Sequence, residues 1–226
     1  MKYQLLVSFA GLLLVVALSL FPPTANADFV WRKTVTGTIF CTLCILGVLA
    51  VFSPSQCRGI VKVKQKPANM ETDIDDTSPA LEGHHPNCGK YTAHVFRING
   101  KTFCAACIGL LVGGVLALVV GVFYFFGGWT VASYGSLLVM LGVVGVVVGL
   151  FQFKFGNITR FLANIVFVLG ALFVLIGVDV LVESLVFDLF TVSLIVFWLL
   201  TRISLSTYDH QVICSRCETG GCRFKK

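Results

Sequence analysis

Val95–Phe126 reads VFRINGKTFCAACIGLLVGGVLALVVGVFYFF, and two structural periods meet inside it. Asn99-Gly100 is a favoured two-residue hairpin turn, because both residues must take positive φ. Counting outward from it pairs Ile98 with Lys101, Phe96 with Phe103 and Val95 with Cys104. From Cys104 to about Phe126 no charged residue interrupts the apolar run, which has the ~20 residues needed to cross a bilayer core. A strand pair thus feeds directly into a membrane helix.

The rest of the chain follows the same solvent. Hydrophobic residues make up 57% of the 226, charged residues only 12%, and the mean hydropathy is +0.90. A soluble domain carries roughly a quarter charged residues, so this chain cannot cover itself in water. Further apolar runs cover Leu5–Phe21, Thr34–Phe52, about Trp129–Phe151, about Phe161–Val178 and about Leu185–Leu200. The spacing predicts an all-α polytopic membrane protein of about six transmembrane helices, which keeps every lipid-facing backbone group inside a helix. Residues 1–27 form a first transmembrane helix or a signal peptide, and 28–53 an outer loop with the second helix. A cytosolic loop follows at 54–103, a four-helix transmembrane bundle at 104–201 and a cytosolic Cys-rich tail at 202–226. The first half of the loop is polar and aperiodic and reads as a tether.

Orientation comes from the flanking charges. With a cytosolic N-terminus, all but Arg32 and Lys33 of the 17 Lys and Arg fall on the cytosolic side. The net charge of +6 is then a positive-inside bias, and a nucleic-acid partner is not needed to explain it. Ala25-Asn26-Ala27 also resembles a signal-peptidase site, and cleavage after Ala27 leaves five helices with everything downstream unchanged. Gly109/Gly113 and Gly145/Gly149 are small-xxx-small pairs suited to close helix packing.

Histidine and cysteine are distributed unevenly. His84, His85 and Cys88 precede the hairpin, whose register delivers His94 beside Cys104. Cys104 and Cys107 stand three apart at a helix start, with both sulfurs on one face. The tail adds His210, Cys214, Cys217 and Cys222; if the last helix continues into the cytosol, the first three share a face. These two groups hold all four histidines and every cysteine except Cys41, Cys44 and Cys57.

Singly, such residues are ordinary surface side chains. Together, as free cytosolic thiols they are reactive liabilities, and as disulfides they suit a different compartment. The mixture of thiolate and imidazole fits a closed structural zinc site, expected first at Cys88, His94, Cys104 and Cys107, with His84 or His85 substituting or bridging. One zinc or two remains open, because the helices bearing the groups can be neighbours that share ligands. Cys214-x2-Cys217-x4-Cys222 also admits an iron–sulfur cluster, though it lacks a nearby fourth cysteine.

Two rival functions stand beside the zinc module. Cys41 and Cys44 form a Cys-x-x-Cys within the second helix, as a membrane thiol-disulfide redox protein requires, although cysteine is also a small apolar residue at home in buried helices. Asp179, Glu183 and Asp188 cluster between the last two runs, where a small-solute or ion transporter is the alternative. On this topology they lie on the outer connection, at the interface, with no interior Lys, Arg or His beside them.

His84-His85-Pro86-x-Cys88, then His94, then Gly100-Lys101-Thr102-Phe103-Cys104-x-x-Cys107-x-Gly109 resembles a segment of uncharacterised archaeal multi-pass membrane proteins, in which it opens a transmembrane helix. A weaker similarity links it to a bacterial multi-pass family whose Pro-x-Arg-Ser-Phe segment has no counterpart here. The resemblance implies a membrane protein with a cytosolic metal motif and no assigned activity. The expectation is therefore a cell-membrane protein whose zinc module, containing a short β-hairpin, serves a non-enzymatic scaffold, docking or regulatory role. Its expected partners are the bilayer and a cytosolic or membrane protein, with a homo-oligomer left open.

Overall fold

The computed structural model describes residues 2–23, 30–52, 81–82, 85–86, 91–98 and 101–216. It is mostly helical, with α1 Lys2–Leu20, α2 Arg32–Phe52, α3 Ala105–Phe125, α4 Gly135–Leu150, α5 Asn157–Val182 and α6 Leu185–Ser215. The short strands are β1 Leu81–Glu82, β2 His85–Pro86, β3 Val95–Ile98 and β4 Lys101–Cys104. β1 pairs with β2 and β3 with β4, both antiparallel. The second pair has the register counted from Asn-Gly: Ile98 opposite Lys101, Phe96 opposite Phe103 and Val95 opposite Cys104.

Among the described residues, five helices are long and apolar enough to cross a membrane: α1, α2, α3, α5 and α6. The expected fourth crossing is shorter than its apolar run. α4 has 16 residues, a rise of about 24 Å at 1.5 Å per residue against a ~30 Å hydrocarbon core. Both of its ends are consumed by turns. Gly128 takes φ +70 after α3, which an L side chain rarely adopts, and a 3-10 turn occupies Ala132–Tyr134. After Leu150 a second 3-10 turn, Gln152–Lys154, draws the buried Gln152 amide into the bundle.

α5 is the axis on which the bundle is built. Leu172, Val174 and Leu175 on it have no accessible surface, and α3 and α4 pack along it. Its neighbours approach closely because they present glycine. A Cβ on Gly109 would collide with the Phe161 carbonyl, one on Gly113 would lie 3.1 Å from the Ile165 Cα, and one on Gly149 would strike the Phe167 side chain. Both small-residue pairs read from the sequence therefore face α5. α1 lies against α4, α5 and α6, where the Trp198 indole donates to the Ser8 carbonyl at 3.2 Å and the Ser8 hydroxyl donates to Thr201 at 3.1 Å. α2 lies along α3, with Phe40 and Cys44 packed in a cluster that includes Ala117 and Leu172.

α6 extends well past its apolar run. It spans 31 residues, roughly 46 Å, and continues as one helix through the expected bundle–tail boundary at 201/202.

A Cβ at Gly145 would stand 2.7 Å from the Val166 carbonyl oxygen, which is backbone and cannot swing aside, whereas one at Gly47 meets nothing within 4 Å. Gly145→Ala is expected to destabilise the bundle by about 1–3 kcal/mol, the usual cost of overpacking, and Gly47→Ala to leave it unchanged or slightly more stable. Thermal unfolding of the two purified variants in detergent compares them directly.

Candidate functional site

The polar side chains of the bundle gather at its two ends. At the hairpin end, Thr92–His94 forms a 3-10 turn in which the His94 N–H donates to the Tyr91 carbonyl at 2.9 Å. This turn drives Tyr91 and His94, 5% and 4% exposed, into the bundle. α6 arrives from the other side with Asp209, His210 and Cys214. The rings of Tyr91 and His94 meet edge to face at 5.2 Å, those of Tyr91 and His210 at 5.6 Å, and those of His94 and His210 lie tilted at 5.5 Å. The Tyr91 hydroxyl lies 3.0 Å from Cys214 Sγ and donates to the His210 carbonyl at 3.4 Å.

Arg160, near the start of α5, ties this cluster to the bundle. Its Nη1 donates to His94 Nδ1 at 2.6 Å, and its Nη2 donates to the Phe153 carbonyl at 3.0 Å. Asp209 Oδ2 stands 3.8 Å from Nη2 and 3.7 Å from His94 Nε2. A guanidinium only donates, so Nδ1 is the accepting nitrogen of His94, while Nε2 lies on the side of Asp209. Nδ1 is thereby engaged within the protein, and metal binding by His94 at that nitrogen requires its release from Arg160. Deeper in, the Asn164 amide donates to the Gln152 side chain and to the Arg160 carbonyl at 2.6 Å, while Arg202 Nη2 donates to Asn164 Oδ1 and to Gln152 Oε1.

The sequence-predicted ligands divide as follows. His94, His210 and Cys214 come together around Tyr91, and Cys104 is buried beside the hairpin as the residue preceding α3. Cys107, half-buried, follows in the first turn of α3. The backbone of His85 lies in β2. His84, Cys88, Cys217 and Cys222 lie outside the described residues. Among the described residues, no three His, Cys, Asp or Glu side chains form a group that could hold a metal ion. Tyr91, Arg160 and Asp209 carry no metal-site signature and were missed; Arg160 was read only as a topology charge.

The opposite end corrects the reading of the carboxylates. Asp179 on α5 and Asp188 on α6 are both 0% exposed, so they are interior groups, and they are accompanied by cations. Arg32, on the first turn of α2, donates through Nη1 to Asp179 Oδ1, to Asp188 Oδ2 at 2.9 Å and to the Asp179 carbonyl at 3.3 Å. Thr36 Oγ1 donates to Asp188 Oδ2 at 3.3 Å, and the Tyr124 hydroxyl donates to Asp179 Oδ2. Lys33 Nζ lies 3.8 Å from Asp179 Oδ2 and 4.7 Å above the Tyr124 ring. The physical reason is that α2 begins at the end of the bundle where α5 finishes and α6 starts. A signal was present: Arg32 and Lys33 are the two cations that the charge rule left on the side of these acids. Glu183 is exposed, as expected of an acid at the interface, and caps α5 with φ 51.

Comparison with protein-family models, curated proteins and solved structures returned no match. Function must therefore be argued from these two sites. Cys41 and Cys44 carry free thiols one helical turn apart; both are buried, and Cys44 belongs to an apolar cluster with Phe40, Ala117 and Leu175.

Replacing Arg160 with leucine removes the donor that joins His94, the Phe153 carbonyl and α5. A hydrogen bond involving a charged group is worth about 1.5–3 kcal/mol, so Arg160→Leu is expected to loosen the hairpin from α5 and α6. Limited proteolysis in detergent should then cut near residues 91–104 at least several-fold faster than in the wild type.

Proposed function

We propose that this chain is an integral membrane protein whose hairpin and α6 extension form one zinc-binding module at the cytosolic membrane face, with a non-enzymatic scaffold or docking role. The observation that carries the reading is the meeting of two His/Cys groups more than a hundred residues apart in sequence. Tyr91 touches both His210 and Cys214, and His94 faces His210 at 5.5 Å. Tyr91, Arg160 and Asp209 already hold these metal-liking side chains from separate elements close together. A closed zinc site joins them with four donors and supplies folding free energy that a small polar module cannot obtain from burial alone.

His94, Cys104, Cys107, His210 and Cys214 are the described candidate donors, and Cys88, Cys217, Cys222, His84 and His85 are the other candidates read from the sequence. Arg160 and Asp209 have a positioning role, because their contacts with His94 and with the turn after α4 orient the hairpin on α5. Zinc bound there would tie the start of α3 to the end of α6, so that the water-facing surface moves as one body with the bundle. We assign such a surface to a protein partner.

Protein purified without chelator is expected to contain about one zinc per chain, or two if the groups bind separately. Cys104→Ser and Cys214→Ser should each lower the metal content and open the remaining thiols to alkylation. Metal-free native protein with every cytosolic thiol freely alkylated would sink the reading.

A further inference from the structure

The Arg32 cluster lies at the other end of the bundle, and the zinc module makes no use of it. Two carboxylates without accessible surface stand against one buried guanidinium. The second cation does not balance them equally. The Lys33 side chain is 41% exposed and, of the two acids, pairs with Asp179, at 3.8 Å, so water screens much of its charge. With both acids ionised, nearly one full negative charge would remain inside a helix bundle surrounded by lipid, which strongly disfavours it.

The two carboxyl groups also differ in their donors. Asp179 has one on each oxygen, Arg32 on Oδ1 and Tyr124 on Oδ2, with Lys33 beside the latter. Asp188 receives Arg32 and Thr36 on the same oxygen, Oδ2. Its Oδ1 is buried and has no hydrogen-bond partner among the described residues. A bare carboxylate oxygen in this setting is a basic site. Asp179 Oδ1 and Asp188 Oδ2 accept from the same nitrogen, so the carboxyl groups are neighbours, and two like charges side by side disfavour ionisation of both.

We propose that Asp179 and Asp188 form a proton-binding site, loaded with one proton at neutral pH and carried chiefly on Asp188 Oδ1. A proton from water adds to a lone pair of that oxygen, leaving a neutral acid beside a neutral Arg32–Asp179 ion pair. The ionisable groups facing the site are Arg32 and Lys33 from α2, Tyr124 from α3, Asp179 from α5 and Asp188 from α6. Release of the proton turns the Arg32–Asp188 contact into a full ion pair, which is stronger than a hydrogen bond to a neutral carbonyl. The site therefore sets how firmly the start of α2 is held to α5 and α6. It is independent of metal at the hairpin end.

The test is infrared spectroscopy of the wild-type protein in lipid nanodiscs, in water and in deuterium oxide, across a pH series. The expected result is a protonated-carboxyl band at neutral pH that shifts on deuteration, fades at high pH, persists in Lys33→Gln and is lost in Asp188→Asn. Because asparagine resembles the neutral acid, Asp188→Asn should also retain the wild-type melting temperature. Absence of the band from the wild-type protein would overturn the proposal without recourse to any variant. So would a band that survives both Asp188→Asn and Asp179→Asn, or one lost in Lys33→Gln.

Discussion

A guanidinium inside a helix bundle has to be surrounded by acceptors, and the polar architecture of this chain is arranged around that constraint. Arg160 and Arg32 each sit almost wholly out of solvent, one at either end. Buried away from water, each has recruited partners from elements distant in sequence. Arg160 gathers the hairpin through His94, the turn after α4 through Phe153 and α6 through Asp209. Arg32 gathers α5 through Asp179 and α6 through Asp188. These two knots join the helices beside the close glycine contacts along α5.

The knots differ in charge, and the difference separates their roles. At the hairpin end Arg160 meets one carboxylate and a neutral imidazole, and Arg202 behind it is held by the uncharged Asn164 and Gln152 side chains, so the contacts hold geometry. At the other end one buried guanidinium meets two carboxylates, and that imbalance underlies the proposed proton site. The proposed metal module and the proposed proton site lie at opposite ends of α5 and α6. Each can act without the other, yet both bear on the same two helices.

Much of this was legible from local rules. The hairpin register followed from Asn99-Gly100, and both glycine pairs face α5 because only residues without a Cβ allow backbones so close. The short fourth helix was not legible, since its apolar run continues through residues that turn instead of lengthening the helix. The burial of Asp179 and Asp188 was missed for a related reason. A count along the chain assigns acids between two helices to a connection, whereas their depth depends on where α2 arrives. Tyr91, Arg160 and Asp209 likewise carry no motif, and their importance comes from what stands opposite.

Taken alone, the sequence determined the long apolar helices, the hairpin and the grouping of histidine and cysteine, because composition and short-range spacing act within a few residues of chain. Tertiary structure alone decided that the two His/Cys groups meet around Tyr91 and that Arg32 is the counter-ion of both buried acids. Those contacts join residues more than a hundred positions apart, and they arise when helix packing brings buried charges within reach of the partners they need.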